Sequence, residues 1–132
     1  MTGHAPPMQR ELFTVPGVGN PQWYSAATRF GDLIWSAGHL AATRDGTIPE
    51  GIEAQVSATF DNLEQALQAA GGGLDTLLKI NTYLANLDDF AAYNEVYVDR
   101  LGPLGLPART TVEVARLPPG FLIEIEAVAH AR

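Results

Sequence analysis

Glu124 and Glu126 are charged residues set into the otherwise apolar run Phe121–Ala129, and Arg109 stands at the start of the strand-like run Thr110–Arg116. A charge inside such a run is costly unless it is paired or used, so chemistry is expected here. Arg109 follows Pro107-Ala108 and opens a predicted strand. Its planar guanidinium matches a carboxylate through two parallel hydrogen bonds. It reads equally as a clamp for a carboxylate ligand and as the partner of an acidic side chain such as Glu124 or Glu126. Those two glutamates lie two residues apart and share a strand face with Leu122 and Val128. The opposite face, Ile123, Ile125 and Ala127, supplies the core. The glutamate face is then available for acid–base work or for holding a water, with simple solvation as the ordinary alternative.

Weaker candidates are Tyr24, Gly38 and Asn94. Tyr24 precedes a predicted strand and offers a hydroxyl. Gly38 ends an apolar run, where a backbone without Cβ can approach a ligand closely. Asn94 interrupts an apolar helix face with donor and acceptor groups. Packing, a turn and a local hydrogen bond are their ordinary readings. His4, His39 and His130 are scattered with no ligand spacing, so no metal site is predicted. No G-x-S-x-G elbow occurs. Gly71-Gly72-Gly73 follows a helix and reads as its stop, not as a phosphate cradle.

The elements that must position these residues follow from periodicity. Ile52, Val56, Phe60, Leu63, Leu67 and Ala70 form one apolar stripe, which predicts a helix over 52–70. A second helix follows Asp88 or Asp89 as its cap, with Phe90, Tyr93, Tyr97 and Leu101 on one face. Strands are predicted at Glu11–Val15, Tyr24–Phe30, Leu33–Ala37, Thr76–Leu84, Thr110–Arg116 and Phe121–Ala129, the second and third joined at Gly31-Asp32. Leu117-Pro118-Pro119-Gly120 predicts a hairpin between the last two. With Pro118-Pro119 as its loop, Glu113 would face Glu124, an unfavourable like-charge pair. A loop longer by one residue would bring Val114 there instead.

The order β-β-β-α-β-α-β-β predicts an α+β layer fold with two helices on one face of a mixed or antiparallel sheet. Trp35, Ile80, Tyr83, Val112 and Ile125 suggest strands apolar on both faces. The uncovered face then favours a symmetric oligomer. The 132 residues suit one domain over 1–132, with 1–22 as an arm rich in Pro and Gly. There is no cysteine, which excludes disulfides and thiolate chemistry and fits a cytoplasmic location. No signal-like or membrane-spanning run is read from the sequence. A net charge of -7 makes nucleic acid an unlikely partner.

Pro107-Ala108-Arg109, Val112-Glu113-Val114-Ala115-Arg116-Leu117-Pro118 and Ile123-Glu124-Ile125-Glu126-Ala127 resemble the signature of the RidA (YjgF) family. Ser36-Ala37-Gly38, Asp61-Asn62-Leu63 and Leu87-Asp88-Asp89-Phe90 leading to Asn94 add to it. The resemblance runs from about Tyr24 to the C-terminus. It implies a chorismate-mutase-like fold, a mixed six-stranded sheet assembled as a homotrimer with ligand clefts at the subunit interfaces. It also implies cofactor-free deamination of enamines and imines, such as 2-aminoacrylate, to 2-oxo acids and ammonia. Arg109 would bind the substrate carboxylate and Glu124 would position water. Tyr24, Gly38, Asn94 and the Thr111 carbonyl would line the pocket. Thr111 stands where Cys is frequent, Trp23-Tyr24-Ser25-Ala26 departs from the usual motif, and His39 replaces a common Gln. A non-catalytic metabolite-binding trimer and an endoribonuclease are the rival expectations.

Overall fold

A computed structural model of the protein describes residues 8–132; His4 and the start of the arm lie outside them. The strands are β1 (Glu11–Phe13), β2 (Ala27–Phe30), β3 (Leu33–Ser36), β4 (Leu77–Leu84), β5 (Ala108–Glu113) and β6 (Ile123–His130). The helices are α1 (Ile52–Ala69), between β3 and β4, and α2 (Phe90–Leu101), between β4 and β5. All six strands form one mixed sheet in the order β1-β2-β3-β6-β4-β5.

The predicted stripe of α1 is buried from Ile52 to Ala70, and each large apolar side chain in it contributes about 1.5–3 kcal/mol. The helix stops where expected. Gly71 adopts φ 97°, and the Gly72 and Gly71 amides donate to the Leu67 and Gln68 carbonyls at 2.8 and 3.1 Å. A residue with a Cβ resists that left-handed turn. The start of α2 differs from expectation in its side-chain cap. Asp89 holds the N-cap position of α2 as expected, but its side chain makes no capping bond; the side-chain cap comes one turn earlier, where Asn86 accepts from the Asp88 amide at 2.9 Å. A 3-10 turn, Leu87–Asp89, then leads into the helix at Phe90. Tyr93, Tyr97 and Leu101 are buried as the spacing predicts, and Phe90 sits at the rim.

The predicted hairpin of the last two strands does not form. β6 runs antiparallel between β3 and β4, while β5 lies parallel to β4 on its far side. The parallel pair requires a crossover, and α2 provides it. The segment 114–122 passes over the end of β4, with the Val114 amide donating to Leu84 and the Ala85 amide to Leu122. Buried Gln55 fastens that segment by donating to the Gly120 carbonyl at 2.9 Å and accepting from the Leu122 amide at 2.8 Å. A central place satisfies β6 backbone groups from both sides. It also removes the like-charge pairing, because Glu113 lies beside Leu84 and Glu124 beside Tyr83.

Ile123, Ile125, Ala127 and Ala129 of β6 meet the helices, as do Ile80 and Leu84 of β4. The other face carries Leu12, Leu33, Trp35 and Val112, each more than two-fifths exposed. Of the residues expected to make both faces apolar, Ile80 and Ile125 thus belong to the core. Trp35, Tyr83 and Val112 belong to the open face.

Candidate functional site

Glu124 projects from β6 onto the open face, beside Tyr83 of β4. The chain leaving β3 is spliced onto the same strand: the His39 amide donates to the Ile125 carbonyl at 2.8 Å, and the Ile125 amide returns the bond at 3.0 Å. That bridge lays Gly38 against Glu124. A Cβ on Gly38 would stand 2.7 Å from Glu124 Oε2, so the contact requires a residue without a side chain. Partial burial raises the Glu124 pKa above the ordinary carboxylate value, and the Glu126 charge adds to the rise. Glu126 is engaged by the Tyr83 hydroxyl, a bond that pushes Tyr83 up to about 12.

Tyr24 joins Gly38 in the wall of a cavity of about 370 Å³, with Asn20, His39, Arg44 and Asn62. The Tyr24 amide donates to the Asn20 carbonyl at 3.2 Å, a turn that keeps Tyr24 out of β2 and begins that strand at Ala27. His39 is buried, its Nε2 lies 3.1 Å from the Ala26 carbonyl, and burial holds its pKa below the ordinary value.

Arg109 is the centre of a second group. Its Nη1 donates to Asn94 Oδ1 at 2.7 Å. Its guanidinium carbon lies 4.4 Å from the Tyr97 ring centre, 5.2 Å from Tyr93 and 5.5 Å from Phe90. Among the described residues of the single chain no carboxylate pairs with it, neither Glu124 nor Glu126. Ring faces and a neutral amide hold the cation and leave further N–H donors for an anion. Thr111 Oγ1 is buried nearby without a partner in hydrogen-bond geometry. Burial raises the Tyr93 hydroxyl, against the pull of the Arg109 charge.

The six candidates therefore fall into two sets. Tyr24, Gly38 and Glu124 gather at the open face and the arm, while Arg109, Asn94 and Thr111 gather under α2. Within one chain the sets do not meet. The aromatic platform under Arg109 was visible only as a helix face; an arginine close behind an i, i+3, i+7 aromatic series was its signal. His39, Asn20, Arg44 and Asn62 carried no spacing signal, because four separate loops and elements bring them together. Among the described residues no cluster of His, Asp and Glu could hold a metal. No helix among them is long and apolar enough to cross a membrane.

Comparison with known proteins agrees with the fold. The family model described as endoribonuclease L-PSP matches residues 19–131. The mitochondrial protein mmf2 of Schizosaccharomyces pombe is 44% identical over 110 residues, covering 80% of this chain and 86% of mmf2. The crystal structure of the E. coli YjgF gene product aligns with a TM-score of 0.86 at 29% identity, covering 92% of this chain and 99% of the other. E. coli TdcF, solved with bound serine, aligns with a TM-score of 0.84 at 28% identity, covering 92% and 99%. With its two helices, its six-stranded sheet and this match over nearly its whole length, the chain belongs to the YjgF/RidA family, whose model carries the description endoribonuclease L-PSP.

Proposed function

We propose that the protein hydrolyses reactive 2-imino acids and their enamine tautomers to 2-oxo acids and ammonia, in a homotrimer whose sites lie between subunits. The observation that carries the reading is Arg109: a half-buried guanidinium, oriented by three rings and Asn94, with no acid of its own. Such a cation is suited to a small carboxylate. The serine bound to TdcF is a small carboxylate of this kind.

The chemistry asks little of the protein beyond placement. Arg109 holds the substrate carboxylate. Glu124 of the adjoining copy receives a proton from water as its oxygen bonds to the imine carbon. That proton passes to the nitrogen, giving a carbinolamine; Glu124 then moves the hydroxyl proton to the same nitrogen, the carbon–nitrogen bond breaks as the hydroxyl oxygen becomes the 2-oxo group, and ammonia leaves. Burial keeps the Glu124 pKa raised, which suits a group that both takes and returns a proton. The apolar open face, with Trp35 and Val112 exposed in the single chain, supports burial against other copies. A net charge of -7 speaks against the RNA cleavage that the family description names.

The test is 2-oxo acid formation from enzymatically generated imines. Wild type is expected to exceed spontaneous hydrolysis, and Arg109→Ala to lose about ten- to hundredfold in kcat/KM, the worth of a charge-assisted contact. An Arg109→Ala protein as active as wild type would sink the clamp. Ligand affinity without ammonia release would identify a binding module instead.

A further inference from the structure

We propose that the cavity adjoining Tyr24 and Gly38 receives the substrate's side chain, and that Arg44 selects 2-imino acids whose side chain ends in a second carboxylate. This assignment rests on the imine-hydrolysing reading above and names its substrate class.

The cavity wall reaches from Tyr24 and Gly38, at the Glu124 end, to Thr43, Arg44 and Gly46 at the other. At about 370 Å³ it lies at the lower end of the ~300–1,000 Å³ usual for small-molecule sites. No acidic side chain lines it, and Arg44 is its one permanent charge. In a chain of net charge -7, a cavity lined by an arginine and by no acidic residue is a local exception. Among the described residues Arg44 has no ion pair, and its side-chain hydrogen bond runs to the neutral amide of Gln65. The adjacent acid, Asp45, is turned into its own loop, accepting from the Thr47 amide at 3.0 Å and the Thr47 hydroxyl at 2.8 Å. Arg44 thus keeps donors for a ligand anion.

The two ends of the cavity are positioned together. A turn of the arm, closed by the Val18 amide on the Val15 carbonyl at 3.0 Å, brings two left-handed glycines onto them. Gly17, at φ 77°, lies on the Arg44 stem, where a Cβ would meet Cγ at 3.1 Å; Gly19, at φ 68°, lies on the Tyr24 ring, where a Cβ would meet Cε1 at 3.1 Å. The chain between Gly38 and Arg44 is held by Asn62, whose amide donates to the Leu40 and Ala42 carbonyls at 2.8 Å each.

The experiment compares imines released by amino-acid oxidases from alanine, leucine and glutamate, using wild type, Arg44→Ala and Arg44→Glu. It also measures binding of 2-oxoglutarate and 2-oxobutanoate by calorimetry. Wild type is expected to prefer the glutamate-derived imine. Arg44→Ala should raise its KM about tenfold and Arg44→Glu further, as for a lost charge-assisted contact, with the alanine-derived imine unaffected. Equal effects on all three substrates, or none on the glutamate-derived one, would overturn the role of Arg44 while leaving the deaminase reading in place. Should no imine be accelerated while 2-oxoglutarate binds in an Arg44-dependent way, the site stands and the hydrolytic reading falls. Absence of both turnover and Arg44-dependent binding overturns both.

Discussion

Arg109 and Glu124 stand on opposite faces of the sheet, with β4 between their strands. Arg109 is level with Ile80, whose side chain enters the helix-covered core, and Glu124 is level with Tyr83 on the open face. One substrate molecule cannot touch both in a single chain. A shared site therefore needs two copies, one supplying Arg109 and the other Glu124.

Subunit mixing tests this directly. In the proposed trimer, the Arg109→Ala and Glu124→Gln proteins should each be nearly inactive. Unfolded together and refolded, they should recover about a quarter of wild-type activity, because random assortment in a closed ring reunites the two intact groups at one interface in four. No recovery, with trimers shown to mix by mass, would place both groups in one subunit.

Gly38→Ala should separate placement from stability. The new Cβ would press on the far end of the Glu124 side chain at 2.7 Å, and that side chain can swing aside. Melting temperature should change little. Activity should fall by up to about a hundredfold, the effect of moving a reacting group by about 1 Å. Unchanged kcat in the folded variant would show that Glu124 does not need this contact.

Activity should depend on Glu124 ionisation. Its pKa is raised by burial and by Glu126, so the carboxylate that accepts a proton from water is lost at higher pH than for an ordinary glutamate. The acid limb of kcat/KM should lie above ~4.3, the usual glutamate value, and should move on Glu126→Gln. That change removes the repulsion, so the limb shifts toward lower pH. A limb that ignores Glu126 would assign it to another group.

Stability should fall on acidification through His39. Its folded pKa lies below the ordinary 6.5, because burial disfavours the imidazolium. The unfolded chain then binds more protons below pH 6.5. Stabilisation from neutral His39 is present above that pH and declines as pH falls toward the folded value. In denaturant titrations from pH 8 to 5, His39→Gln should flatten this slope. An identical slope in the variant would locate the titrating group elsewhere.

The sequence alone determined the local elements and the chemistry of single residues. Apolar stripes in α1 and α2 and the glycine stop at Gly71 depend on neighbours within a few positions, so periodicity exposes them. The alternation in β6 likewise assigned Glu124 and Glu126 to the face away from the core. Arg109 was legible as an arginine with an anion to find. Which neighbour β6 would take was not legible: a proline-rich link of this length can turn a hairpin or span a strand. Pairing is decided by buried contacts such as Gln55 with 120–122, remote in sequence. The same remoteness hid the division of the site. Strand alternation gives a residue's side of its own strand, but only the inserted β4 and the parallel β5 decide that Arg109 and Glu124 face opposite ways. The cavity between Tyr24 and Arg44 exists because an arm turn, a loop and α1 converge in space, and no local pattern records that convergence.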